Sequence, residues 1–409
     1  MINELSFRFH RLSEKMPKER LVLFFGREEF SDNTKYLYLK ALEQQGSFRC
    51  VWCSCEETLI AELQKQGLPC HLIAQETATE TIRLFLSAAV AVFSVNPSQS
   101  LNGSEELFAC LQGARQIQLW HGVSVKHLLL DLVQHLDITD YNFRRPVDFA
   151  SRADCVLSTA PALDNFFRRV FGCKRIIRAG YPRNEVLLRP ATEHEYIGSE
   201  LPGAILSALL NPQRKKVLFA PTWQRGESQL LTGDINFITQ LAKACKLNNA
   251  SLFIKGHPVY VNQQECKELS DTCFYINPSL DIYPLMTHFD VLVTDYSSIM
   301  FDFLLTEKPV MRLDLEGQTH RTFEPDFSLI PDIDFAYQYT DKNLEKTLKK
   351  ALFKDDKKSL RKQMAKMLFP ENNSDACSGL IRLLNSEVDA VINENRAYQV
   401  EDYSRRAHN

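Results

Sequence analysis

Short, continuous apolar runs recur along this chain, separated by stretches with helical periodicity. In the first half the runs are 21–25 (LVLFF), 49–53 (RCVWC), 88–95 (AAVAVFSV) and 115–120 (RQIQLW), with helical patterns around 33–45, 56–66 and 77–87. In the second half they are 154–159, 175–180, 216–222, 251–256, 273–276, 290–295 and 309–314. A strand that is apolar at every position is covered on both faces, and with helices in between this means a parallel sheet clad in helices. The last ~70 residues read as almost purely helical. A length of 409 residues suits two such domains. The expected fold is therefore α/β, with two doubly wound Rossmann-like domains facing a cleft in a GT-B-like manner and a helical C-terminal tail. The boundaries are expected at 1–150, 151–375 and 376–409, with 142–149 and 189–203 as hinge candidates.

Composition removes several alternatives. A net charge of -3 and a pI near 6.4 give no reason to invoke nucleic acid. The eleven cysteines are scattered without zinc-finger spacing and read as buried free thiols. No targeting segment and no membrane-spanning window is visible, so a cytoplasmic location is expected. The basic, mildly amphipathic first stretch suits either a solvated helix or an anionic membrane surface. A dinucleotide GxGxxG, a P-loop, a GxSxG elbow and an HExxH are all absent. Asp332 and Asp334 form a D-x-D that metal-dependent sugar transferases also use, but no other ligands cluster with it in sequence, and no metal site is expected.

In such sheets ligands gather beyond the carboxyl ends of the strands. There the chain places His121-Gly122, then Pro221-Thr222-Trp223, then Lys255-Gly256-His257, and then Thr294-Asp295-Tyr296-Ser297-Ser298 running into a helix that contains Asp302. Histidine suits proton transfer near neutrality. Hydroxyls, cations and the N–H groups of a helix start suit phosphate. Each also has a purely structural alternative: a sheet-capping His, a rigid turn, a solvated basic turn, a self-capped helix.

Together these strings resemble the CDP-glycerol glycerophosphotransferase family, which primes and polymerises teichoic acids. The resemblance rests on Trp120-His121-Gly122 with Lys126, Gly180-Tyr181-Pro182-Arg183-Asn184-Glu185, Ala220-Pro221-Thr222-Trp223, Lys255-Gly256-His257-Pro258 and Thr294-Asp295-Tyr296-Ser297-Ser298 with Asp302. The segment Phe369-Pro370-Glu371-Asn372-Asn373-Ser374 resembles a sixth. Where the family often has Thr-Pro after W-H-G, this chain has Val123-Ser124.

The resemblance implies an acceptor-side first domain and a donor-binding second domain. It implies donor contacts from Arg183, Thr222, Lys255, Thr294, Asp295, Ser297, Ser298 and Asp302, with His121 as general base and His257 as a second catalytic group. The donor would be CDP-glycerol or a related CDP-polyol, and the acceptor a lipid-linked or polymeric hydroxyl, met peripherally at the inner face of the membrane. No cofactor is implied. Two other readings stay open at this point: a GT-B glycosyltransferase using a CMP- or UDP-sugar, with a sugar-nucleotide 2-epimerase as a variant on the same fold, and a non-catalytic scaffold of a polymer-assembly complex.

Overall fold

A computed structural model describes residues 4–44, 46–124, 153–173, 175–222, 235–256, 270–313, 330–371 and 373–407, with the backbone alone at 235–236 and 396–407. The chain forms two compact units. The first comprises 1–121, 128–183 and 371–409, and the second 122–127 and 184–370.

The first unit is built on a seven-stranded parallel sheet. Its strands are β1 (Glu19–Phe25), β2 (Arg49–Ser54), β3 (Cys70–Leu72), β4 (Ala88–Phe93), β5 (Arg115–Gln118), β6 (Cys155–Ser158) and β7 (Arg175–Arg178), in the order β3-β2-β1-β4-β5-β6-β7. The inner strands are buried along nearly their whole length, as their continuous apolar runs require. Leu21, Leu23, Phe25, Ala91 and Phe93 share one core cluster with Phe85 and Phe108 from the helices Ala78–Ser87 and Glu105–Cys110. Polar residues start the helices locally: the Ser104 hydroxyl accepts from the Leu107 N–H, and the Asn96 carboxamide from the Gln99 N–H.

The second unit holds β8 (Lys215–Phe219), β9 (Ala250–Ile254), β10 (Cys273–Tyr275), β11 (Val291–Thr294), β12 (Val310–Leu313) and β13 (Tyr337–Tyr339). Their order, β10-β9-β8-β11-β12-β13, is that of a dinucleotide-binding sheet, all parallel. In each sheet the chain reverses its direction of winding beside the central strand, between β1 and β4 and between β8 and β11.

Eleven of the observed strands fall on the expected apolar runs; β3 and β13 do not. Both are three-residue edge strands, and Cys70-His71-Leu72 and Tyr337-Gln338-Tyr339 are too short and too polar to stand out as runs.

The expected division of the chain also differs from the observed one. Strands β6 and β7 lie beyond residue 150 yet extend the first sheet, with Ile117 paired to Cys155 and Cys155 to Arg175. Segment 189–203 lies inside the second unit, and 142–149 falls outside the described residues. Nor is 376–409 a separate tail. The helix Ala376–Ala407 packs on β1, β4 and the helix Asp32–Glu43 of the first unit. Buried Glu387 on that helix takes both Arg115 and Arg175, and Arg20 reaches Asp389. The βα rhythm is the same whether a strand extends one sheet or opens another, so rhythm alone could not place these pieces.

Among the described residues every cysteine is free and most are buried. In the first unit burial pushes the Cys50 and Cys110 thiols up to about 12, and those of Cys155 and Cys173 to about 11. An unfolded thiol ionises near 8.5. Above that pH the unfolded chain binds fewer protons than the folded one, so stability falls as pH rises through about 9 to 11. Buried Lys18, held down to about 8, acts in the opposite direction between 8 and its unfolded value, but it is one group against four. Under reducing conditions the first unit should therefore melt at a lower temperature at pH 10 than at pH 8; an unchanged or higher melting temperature would contradict the sign.

Candidate active site

In the second unit the chemistry collects where β8 and β11 end. The Asp295 carboxylate, fully buried, accepts the Thr222 hydroxyl (2.6 Å) and the backbone N–H groups of Thr222 (2.9 Å), Tyr296 (2.6 Å) and Ser297 (3.1 Å). It braces the two strand ends that flank the switch point. Thr294, also buried, donates its hydroxyl to the Ala220 carbonyl (2.7 Å) and joins the same strands. Ser297 and Ser298 follow, half-buried. Ser298 precedes the helix Ile299–Phe303 without a side-chain capping bond, so its hydroxyl is not spent on closing that helix. Lys255, after β9, donates to the Pro278 carbonyl (2.5 Å) from a half-buried position.

Asp302 sits deeper. Its carboxylate is fully buried and accepts the Tyr283 hydroxyl (2.6 Å) and the Asn184 carboxamide N–H (3.1 Å). It thus ties the helix Ile299–Phe303 to the start of the unit's longer segment, at Asn184. His257, Trp223 and Lys126 fall outside the described residues.

In the first unit, β5 runs out into Leu119-Trp120-His121. Trp120 adopts φ 56°, a left-handed conformation unusual for a large side chain, and Gly122 follows at φ 128°. The indole lies tilted against the His121 ring, with 3.9 Å between centroids and 35° between planes, and meets Phe171 edge-on. The His121 Nδ1 lies 3.2 Å from the Ser94 carbonyl. A carbonyl only accepts, so Nδ1 carries the proton and the neutral ring keeps its lone pair on Nε2.

Arg183, 5% exposed, lies with this turn. Nη1 pairs with Asp32 (2.8 Å), and Nη2 donates to the His121 carbonyl (2.8 Å). Asn33 donates to the Trp120 carbonyl (2.7 Å) and accepts from the Arg183 N–H (3.3 Å). Sequence reasoning brought His121 and Arg183 forward but not Asp32 and Asn33. Their only signal was a pair of turn-forming polar residues between the first strand and a helical pattern. In the same motif Gly180 leaves no room for a side chain, since a Cβ there would lie 2.5 Å from the Asn373 Oδ1 and 3.2 Å from its Cα. Within the D-x-D pattern, Asp334 pairs with Lys357. Among the described residues no group of three or more His, Cys, Asp and Glu is gathered as metal ligands.

Two parallel-sheet units of this strand order, each with polar residues beyond the strand ends, define the GT-B type of fold. The structure is similar to the wall teichoic acid polymerase TagF, with a TM-score of 0.69, 20% identity, and coverage of 95% of this chain and 94% of that one. A UDP-GlcNAc 2-epimerase from Neisseria meningitidis shares the fold at a TM-score of 0.55 and 12% identity, over 90% of this chain and 99% of that one. The sequence itself is more specific than the fold: the chain belongs to the CDP-glycerol:poly(glycerophosphate) glycerophosphotransferase family, whose pattern matches residues 6–371. It is 26% identical to a teichoic acid glycerol-phosphate transferase of Staphylococcus aureus, over 78% of this chain and 80% of the relative. It is also 26% identical to a teichoic acid poly(glycerol phosphate) polymerase of Bacillus subtilis, over 76% of this chain but 41% of that longer protein.

Proposed function

We propose that this protein transfers glycerol phosphate from CDP-glycerol to a hydroxyl of a teichoic-acid-like surface polymer or its lipid-linked precursor. His121 takes the proton of the acceptor hydroxyl on Nε2, and the freed oxygen attacks the β-phosphorus. A phosphodiester forms there, and the bond to the bridging oxygen breaks to release CMP. The observation that supports this reading is the His121 Nδ1 at 3.2 Å from the Ser94 carbonyl, an acceptor that leaves the lone pair of the neutral ring on Nε2. The leaving CMP gains negative charge, and the Ser297 and Ser298 hydroxyls with Lys255 supply the donors and the cation for it. His257 is proposed to act with them. Asp295 and Thr294 hold that turn in shape, and Thr222 contributes to the brace through its hydroxyl.

The deciding experiment offers CDP-glycerol, CDP-ribitol and UDP- or CMP-sugars with a membrane-derived acceptor and follows the released nucleotide. CMP release from CDP-glycerol with a new phosphodiester supports the assignment; UDP release from a UDP-sugar would replace it with glycosyl transfer. For the donor site, combined Ser297→Ala and Ser298→Ala should weaken CDP-glycerol binding by about 1–3 kcal/mol, with the fold retained. An unchanged KM for the donor would locate the diphosphate elsewhere. The acceptor's nature also calls for peripheral association with an anionic membrane face. No helix among the described residues is long and apolar enough to cross a membrane, and such association is expected to be released by high salt.

A further inference from the structure

Arg183 stands in a motif the family resemblance assigns to the donor, but its contacts describe a different task. The guanidinium is buried, and its charge is already matched by Asp32 at 2.8 Å. One arm of its fork reaches that carboxylate and the other the backbone carbonyl of His121. A phosphate would have to compete with Asp32 for a guanidinium that is buried and already charge-matched, at a desolvation cost an exposed cation does not carry. We propose that Arg183, with Asp32 and Asn33, is a positioning unit for His121: the three hold the Trp120-His121 backbone so that the imidazole keeps Nδ1 on the Ser94 carbonyl and presents Nε2. The inference rests on the proposed role of His121 as general base.

Two features beyond the hydrogen bonds support it. Trp120 and Asp32 both adopt positive φ, 56° and 70°, and both belong to this network. Such conformations cost free energy in non-glycine residues and persist only where the surroundings over-determine them. Here the surroundings are specific. Trp120 is held at its carbonyl by Asn33 and at its N–H by Gln118 (2.8 Å), and His121 is held at its carbonyl by Arg183 and at its ring by Ser94. Asp32 in turn accepts the backbone N–H of Asn33 (2.8 Å), so the acid that neutralises Arg183 also holds the main chain of the residue whose side chain grips Trp120. Only a planar fork spans carboxylate and carbonyl together, and a lysine ammonium at the same place serves one of them as a point charge.

The test uses the full chain with Arg183→Lys and, separately, Asn33→Ala, which leaves the ion pair intact should the first variant fold poorly. Steady-state kinetics with CDP-glycerol should show turnover down by about 10- to 100-fold, with the donor KM changed by no more than about threefold. Independently of activity, ¹⁵N-histidine NMR, with His121 assigned by its loss in His121→Gln, should show one tautomer in the native protein and a mixture in both variants. A donor KM raised about tenfold or more with turnover kept would make Arg183 a diphosphate ligand and overturn the proposal. Unchanged turnover together with an unchanged His121 tautomer would also overturn it. Should the native protein transfer nothing from CDP-glycerol, the donor assignment fails, and the tautomer measurement alone decides the positioning role.

Discussion

Replacing His121 by alanine is expected to lower turnover by about 10²–10⁴-fold, the usual worth of general-base assistance. Affinity for CDP-glycerol should change little, because the residues proposed to hold the diphosphate belong to the second unit. That split, a large loss in kcat with a nearly constant donor KM, is the mark of a group that acts in the transition state only. Steady-state kinetics at saturating donor, with equilibrium binding of CDP-glycerol beside it, measures both halves. Near-normal turnover in His121→Ala would remove it from the mechanism. Loss of donor binding alone would move it from the acceptor to the diphosphate.

The second large effect is expected at Asp295. Alanine there removes the acceptor of three backbone N–H groups and the Thr222 hydroxyl inside a fully buried turn. Bonds to a charged acceptor contribute about 1.5–3 kcal/mol each, and their sum is not additive, so a loss of about 3 kcal/mol or more from the second unit is expected in urea denaturation. Asp295→Asn should lie between, since one amide oxygen still accepts while its NH2 faces other donors. In both variants the donor KM should rise, because the turn carrying Ser297 and Ser298 loses its anchor. A midpoint indistinguishable from the native protein would show that the brace contributes nothing to folding.

The two predictions separate residues that the strings W-H-G and T-D-Y-S-S present in the same way. In the second string, Thr294 and Asp295 spend their polar atoms on Ala220, Thr222 and the turn itself, while Ser297 and Ser298 remain at its half-buried edge. Asp302 accepts from Tyr283 and Asn184 and so supports the helix Ile299–Phe303. A motif read as a string gives every member a share of the chemistry. Folded, most of its polar members hold the strand ends in place, and two hydroxyls stay at the half-buried edge.

What the sequence by itself determined is local and periodic. Continuous apolar runs dictated parallel strands buried on both faces, and the helical stretches between them dictated the cladding; eleven strands follow from that rule. The W-H-G and T-D-Y-S-S strings fixed where polar chemistry would stand, just past strand ends. Only the tertiary structure decided the partners. It gave β6, β7 and the final helix to the first unit, because a strand's sheet is settled by which edge it completes and a helix's place by which face it covers. It also joined Arg183 to Asp32, 151 residues away in sequence, and thereby to the His121 carbonyl. No period or spacing carries such a pairing: a buried guanidinium must find a carboxylate and an acceptor wherever the packed chain brings them, and only the packed chain does.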